Sequence, residues 1–266
     1  MDELDRLVER VLASPKYQSV CRDLVRAIGA RELVRRRTLK AAVKATRNGL
    51  HRVAGAYLCP RPRYGAWLEE LAAAYGSGEE ALVRQVCRRV MGQHASSRER
   101  LPFLEEFYAA TLGPLGPVRS VLDLACGLNP LAIPWMPLAA GAEYHACDVY
   151  HDMAGFLGAF LRLAGVGGGV EVCDLVQRCP AQRVDVALIL KTVPCLEQID
   201  PSAGRRLLEG VNAAHLLVSF PTQSLCGGEK GMVASYGAHF QELVAGRGWR
   251  VRRFEFPTEL AFLVSR

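Results

Sequence analysis

Ser120-Val121-Leu122-Asp123-Leu124-Ala125-Cys126-Gly127-Leu128-Asn129-Pro130 is the stretch on which the reading of this chain turns. Val121, Leu122 and Leu124 form a short apolar run of the kind a buried strand requires. Ala125, Cys126 and Gly127 are three small residues at its carboxyl end. In an open α/β sheet, ligands bind just beyond the carboxyl ends of the strands, where small residues let backbone approach them closely. Two further apolar segments end in an acid, Ala146-Cys147-Asp148 and Val172-Cys173-Asp174-Leu175. An acid at the first of these places can accept both hydroxyls of a ribose. A glycine after one strand is an ordinary turn; three acid-bearing strand ends in series predict a nucleoside-binding α/β domain.

The turn after Leu124 also restricts the nucleoside. A dinucleotide site uses G-x-G-x-x-G, whose later glycines admit a pyrophosphate onto a helix N-terminus. Here Gly127 is followed by Leu128-Asn129-Pro130-Leu131, with no second or third glycine. A ligand without phosphate is expected, which is the pattern of S-adenosylmethionine methyltransferases.

Outward from this stretch, the chain alternates strand and helix to its end. Strands are predicted at 119–124, 143–147, 169–173, 184–190, 216–220, 249–256 and 260–264, with helices near 131–138, 153–164, 202–212 and 235–246. The last two strands, joined through Pro257, make an antiparallel hairpin at the sheet edge, so the fold class is a Rossmann-like α/β sheet of seven strands. Lys191 follows the fourth strand and faces the ligand edge. The segment Phe220 to Met232 follows the fifth strand; it is long, polar and glycine-rich, and suited to fold over a bound base.

Residues before this region read as helical. Leu4, Leu7, Val8, Val11 and Leu12 keep helical spacing, and a second helix is expected over 17–28. A third is expected over 32–50, where Arg36, Lys40, Lys44 and Arg47 share one face as a phosphate-contacting ridge, with Val34, Ala41 and Ala45 opposite. Helices over 64–75 and 79–93 flank Gly76-Ser77-Gly78. His94-Ala95-Ser96-Ser97-Arg98-Glu99-Arg100 opens a linking helix in which Ser96 or Ser97 can act as the N-cap. The same helix can instead place an arginine over a carboxylate of the ligand; its pattern leaves both readings open. The division expected is an all-helical domain over 1–105 and the α/β domain over 106–266.

Charge follows the same division. Residues 1–105 hold 20 Lys and Arg against 12 Asp and Glu, whereas residues 106–266 hold 13 against 15. A basic helical part beside a near-neutral ligand domain suits an enzyme directed at nucleic acid, because phosphate neutralisation supplies most sequence-independent affinity. The longest apolar runs are too short to span a bilayer, and the N-terminus lacks the order of a signal peptide. Nine cysteines without a C-x-x-C pair read as reduced thiols of a cytoplasmic protein, with no metal site.

Together these segments resemble the aminoglycoside-resistance 16S rRNA methyltransferases that modify N7 of guanine-1405. The resemblance runs over nearly the whole chain. It includes His51 to Tyr57, the His94–Arg100 segment, Val121 to Leu131, the Cys147-Asp148 and Asp174-Leu175 strand ends, and Leu190-Lys191 with Pro194. It ends with Ser219-Phe220-Pro221-Thr222, Ser224-Leu225 and Lys230-Gly231-Met232. Gln223 and Cys226 depart from the family's Arg and Gly, removing one cation from an RNA-facing loop.

The resemblance implies S-adenosyl-L-methionine as cofactor, S-adenosyl-L-homocysteine as product, and 16S rRNA within the assembled 30S subunit as substrate of a cytoplasmic monomer. It implies that Arg100 pairs with the cofactor carboxylate, within a segment that also brings His94, Ser97 and Arg98. Ala125 and Gly127 would line its backbone, Asp148 would take the ribose and Asp174-Leu175 the adenine. Tyr57, Leu190 and Gln198 are further pocket candidates. Lys191, Lys230 and Met232 would surround the target guanine, and Arg35, Arg36, Lys40, Lys44, Arg47 and Arg52 would meet phosphates. Guanine N7 is a free lone pair in the neutral base, so no general base is required and alignment is the enzyme's task. The base is expected to be flipped out of its helix, and the six histidines are read mainly as structural. Three alternatives remain: methylation of N1 of adenine-1408 or another rRNA base, a non-catalytic RNA-binding protein of the same fold, and a small-molecule methyltransferase.

Overall fold

The computed structural model describes residues 2–59, 61–222 and 231–266. Seven strands form one sheet in the order β3-β2-β1-β4-β5-β7-β6: β1 (Val118–Leu124), β2 (Leu138–Asp148), β3 (Gly167–Val172), β4 (Val184–Leu190), β5 (Ala213–Pro221), β6 (Arg250–Phe256) and β7 (Glu259–Ser265). The first five are parallel, and β7 runs antiparallel between β5 and β6. The β1–β4 pairing is pinned at its start by Asp185, whose carboxylate accepts from the Arg119 and Ser120 amides at 2.8 and 3.3 Å.

Strand alternation sorts the apolar side chains onto two faces. Val121, Tyr144, Val186, Leu188 and Leu217 enter one core. Leu122, Ala187, Ile189, Leu216 and Phe262 enter the other, under α9 (Val193–Glu197), α10 (Ala203–Gly210) and α11 (Met232–Val244). The first core is shared with the N-terminal helices α1 (Glu3–Leu12), α2 (Arg22–Arg35), α3 (Leu39–Leu50), α4 (Tyr64–Ser77) and α5 (Glu80–Met91), and with α7 (Leu104–Thr111) and α8 (His151–Leu163). The two parts of the chain are also stitched by backbone. Cys21 N–H donates to Val149 carbonyl at 2.7 Å, His151 N–H to Ser19 carbonyl at 2.8 Å, and Ser19 Oγ accepts from Asp152 at the start of α8. No helix among the described residues is long and apolar enough to cross a membrane.

Four sequence expectations are corrected. Residues 131–138 do not form an α-helix: a 3₁₀ segment covers Asn129–Trp135, and Leu138 already begins β2. Pro130, Pro134 and Pro137 remove the donors a continuous α-helix would need. The helix expected over 17–28 starts only at Arg22, since the preceding turn bridges Val20 to Tyr150. The helix expected over 32–50 is two. The backbone of Arg36 is extended (φ −119°, ψ 139°) and the Thr38 hydroxyl accepts from Ala41 N–H, capping a new helix. Arg36 therefore leaves the ridge and pairs with Glu32 instead. The buried side of α3 is Ala42, Val43, Thr46 and Leu50, while Val34 is 90 % exposed and Ala41 is exposed. The linking helix α6 (Ala95–Arg100) is capped by neither Ser96 nor Ser97; His94 holds the N-cap position, and Ser97 is buried within the helix.

Candidate cofactor site

A cleft with about 970 Å³ of space, solvent at its mouth included, opens at the carboxyl ends of β1 to β4. The turn after β1 reverses through two left-handed residues, Ala125 (φ 53°) and Gly127 (φ 52°). It is braced by Asp148 at the end of β2, whose two oxygens accept from Gly127 N–H at 2.8 Å and Val149 N–H at 2.7 Å. Burial pushes the Asp148 carboxyl up, and these two donors partly oppose the shift. The ring of His94 lies where a Cβ on residue 127 would stand, 2.6 Å from that point, and stacks on Tyr57 with centroids 6.1 Å apart. Burial, reinforced by Lys191 and Arg100, holds the His94 imidazole down to about 4, so it is neutral at pH 7. Its Nδ1 is shielded and has no partner among the described residues.

Below this turn runs a buried polar network. The Arg100 guanidinium, 1 % exposed, donates from Nε and Nη2 to the two oxygens of Glu259 at 3.0 and 2.5 Å, and from Nη1 to Asn129 Oδ1 at 3.0 Å. It lies over the Phe107 ring at 4.6 Å. Burial works against its charge, but Glu259, Tyr108 and Asp123 together outweigh that effect, leaving its pKa raised. Burial likewise pushes Glu259 up, but Arg100 and Lys191 bring it below the ordinary carboxyl value. Asn129 Oδ1 also accepts from Tyr108 at 2.7 Å, and Asn129 Nδ2 donates to Asp123 at 2.9 Å. Asp123 takes a further bond from Tyr144 at 2.6 Å, and burial raises its carboxyl to about 7 despite these donors. Lys191, after β4, is held in a left-handed conformation (φ 58°) and its Nζ lies 2.6 Å from Glu99.

Of the residues singled out in the sequence, the cleft brings together Tyr57, His94, Ser97, Arg100, Ala125, Asp148, Asp174, Leu175, Leu190 and Lys191. Gly127 sits just behind His94. The Asp174 carboxylate accepts from Val176 N–H and Gln177 Nε2, both at 2.9 Å, which fixes the turn that presents Leu175 and Val176. Arg98 and Gln198 are corrections: both are exposed and neither lines the cleft, because α6 turns Arg98 outward and Ile199 takes the inward place beside Gln198. Met232 begins α11 and does not line the cleft. Lys230, Gln223 and Cys226 lie outside the described residues. Arg35, Arg36, Lys40, Lys44 and Arg52 are exposed on the helical part. Arg47 is partly buried and donates to the Arg10 carbonyl at 2.6 Å, leaving Lys40 and Lys44 as the open cations of that ridge. No cluster of metal-ligating side chains occurs among the described residues.

Sequence reasoning missed Glu259, which is fully buried, and the network through Asn129 and Tyr108. The available signal was a lone acid heading an otherwise apolar strand, Glu259-Leu260-Ala261-Phe262-Leu263-Val264. It also missed the wall supplied by the helical part: Leu24 of α2, and Val53 and Ala54 from a π-helical turn (His51–Gly55) that continues α3.

The donor set fits S-adenosylmethionine. Asp148 has backbone donors on one side of each oxygen and lone pairs left for hydroxyls, Leu175 and Val176 offer an apolar face for a purine, and Arg100 supplies a fixed cation. Residues 13–263 match the family described as "Ribosomal RNA methyltransferase (FmrO)". The 16S rRNA (guanine(1405)-N(7))-methyltransferase of Frankia casuarinae is 43 % identical over 99 % of this chain and 94 % of its own length. That of Micromonospora echinospora is 38 % identical, covering 100 % of this chain and 97 % of its own. The crystal structure of the 16S rRNA methyltransferase RmtF with S-adenosyl-L-homocysteine superposes with a TM-score of 0.84 at 30 % identity, covering 100 % of this chain and 99 % of the other. With this fold and this cleft, the chain belongs to the FmrO family of ribosomal RNA methyltransferases.

Proposed function

We propose that this protein transfers a methyl group from S-adenosyl-L-methionine to N7 of guanine-1405 of 16S rRNA, and so confers aminoglycoside resistance. The observation that carries this reading is the full-length likeness to guanine-1405 methyltransferases, joined to a cleft at the strand ends whose lining suits a nucleoside. When bound, the cofactor supplies an electrophilic methyl group. Asp148 would hold its ribose, Leu175 and Val176 its purine, and Arg100 its carboxylate through the N–H groups Glu259 does not use. Glu259 and Asn129 lock the guanidinium plane, so Arg100 binds without rearranging. Because guanine N7 needs no deprotonation, the residues contribute by orientation and by excluding water.

The substrate on this reading is the assembled 30S subunit, and the enzyme works as a cytoplasmic monomer. Residues 1–105 serve as the RNA-facing part, with the exposed Arg35, Lys40, Lys44 and Arg52 meeting phosphates, and 106–266 as the methyl-transfer part. Of the residues expected around the target base, Lys191 lines the cleft and stands beside it on this reading. The test is transfer of labelled methyl to 30S subunits and to naked 16S rRNA, mapped by borohydride–aniline cleavage and primer extension. A stop at guanine-1405 on 30S alone is expected. A block at adenine-1408 would overturn the base assignment, and no transfer to either substrate would overturn the rRNA reading.

A further inference from the structure

Arg100 and Lys191 are two buried cations that share one buried carboxylate. Glu259 takes the Arg100 fork at 2.5 and 3.0 Å, and Lys191 Nζ stands 3.5 Å from its Oε2. One anion cannot neutralise both. The second anion is Glu99, whose Oε2 lies 2.6 Å from Lys191 Nζ; its side chain is 28 % exposed, against 5 % for the lysine. Both partners of the pair are also tied to their surroundings, the Glu99 residue through its backbone and the lysine through its ammonium. The Thr258 hydroxyl donates to the Glu99 carbonyl at 3.1 Å, and Lys191 Nζ also reaches the Ser96 carbonyl at 3.5 Å. Lys191 lines the cleft and Glu99 does not, so Glu99 acts on the cleft only through the lysine.

We propose that Glu99 is a positioning residue that delivers Lys191 to the cleft as a neutral ion pair, so that the site accepts a sulfonium cation instead of repelling it. This rests on the cleft being the S-adenosylmethionine site. The chemistry makes charge the central problem there. The methyl donor is a sulfonium cation. As the N7 lone pair forms the new C–N bond, the C–S bonding pair returns to sulfur, and the positive charge passes to the methylated guanine ring. The thioether product carries no such charge. An unpaired lysine ammonium would therefore disfavour the donor while leaving the thioether product almost untouched.

Titration calorimetry of the full-length protein with S-adenosylmethionine and S-adenosylhomocysteine, measured separately, tests this without requiring methyl transfer. Glu99→Gln is expected to weaken S-adenosylmethionine binding roughly threefold to tenfold and to change S-adenosylhomocysteine by less than about twofold. Adding Lys191→Met to Glu99→Gln removes the unpaired charge and should restore the original ratio of the two affinities. Lys191→Met alone leaves Glu99 unpaired and should shift that ratio towards S-adenosylmethionine, which keeps the test decisive if Glu99→Gln does not fold. A merely structural role would move both ligands by the same factor. That result, or a ratio unmoved by either single substitution, overturns the proposal. Unaltered protein that binds neither ligand would overturn the reading of the cleft itself.

Discussion

Gly127 answers two constraints at once. Its φ of 52° is one that glycine adopts freely, and the space a Cβ would need is filled by the His94 ring. Gly127→Ala should destabilise the protein by about 1–3 kcal/mol and displace His94 from the cleft. Thermal unfolding and cofactor calorimetry would read both effects; an alanine variant with unchanged melting and unchanged affinity would show the contact to be unimportant. Asp123 makes a pH-dependent prediction. Its carboxyl is raised to about 7 when folded, against an ordinary value of 3.8, so between these limits the folded state retains a proton that the unfolded state has lost. That contribution is complete below pH 3.8 and disappears as pH rises through 7. Asp123→Asn should therefore gain on the unaltered protein in urea unfolding as pH rises from 4 to 7; a constant difference would show that Asp123 is ionised throughout. Residues such as Gly127 and Asp148 were legible because a strand, a small-residue turn and an acid recur within a short span. Glu259 was not, since its partner Arg100 is 159 residues away and nothing local ties an acid at a strand start to a buried guanidinium.

At the scale of elements, the sheet was legible and the helices less so. Apolar runs such as Val184–Leu190, interrupted only by Asp185, define strands almost to the residue. Helix limits depended on local chemistry that periodicity does not weigh: the prolines that hold Asn129–Trp135 in 3₁₀ turns, and the Thr38 cap that divides the basic stretch. That division changes which cations can act together. Lys40 and Lys44 stay one turn apart on the exposed side of α3, whereas Arg36 is on separate backbone and paired with Glu32. Replacing Lys40 and Lys44 together by Ala should weaken 30S binding and reduce the slope of log affinity against log salt by about one per lysine, with cofactor affinity unchanged. Filter binding over a salt series would measure it. An unaltered slope would remove this ridge from the RNA interface.

On the scale of the molecule, the helical part and one face of the sheet share a single hydrophobic core. Leu7, Val25, Leu71 and Val90 lie in the same cluster as Val121, Tyr144, Leu188 and Leu217. Composition and charge suggested two parts, but a shared core is not visible in either, because it depends on which faces meet in space. Residues 106–266 alone should accordingly be protease-sensitive and fail to bind cofactor, having lost both that cover and the walls of the cleft. A resistant fragment with the full chain's affinity would show that the two parts fold independently. Leu24, Val53 and Ala54 bear on selective inhibition. A competitor built only on the ribose, purine and carboxylate contacts copies interactions that any enzyme using the same methyl donor must make. A substituent reaching these three side chains meets a surface supplied from outside the sheet domain, and discrimination between this enzyme and unrelated methyltransferases is to be gained there.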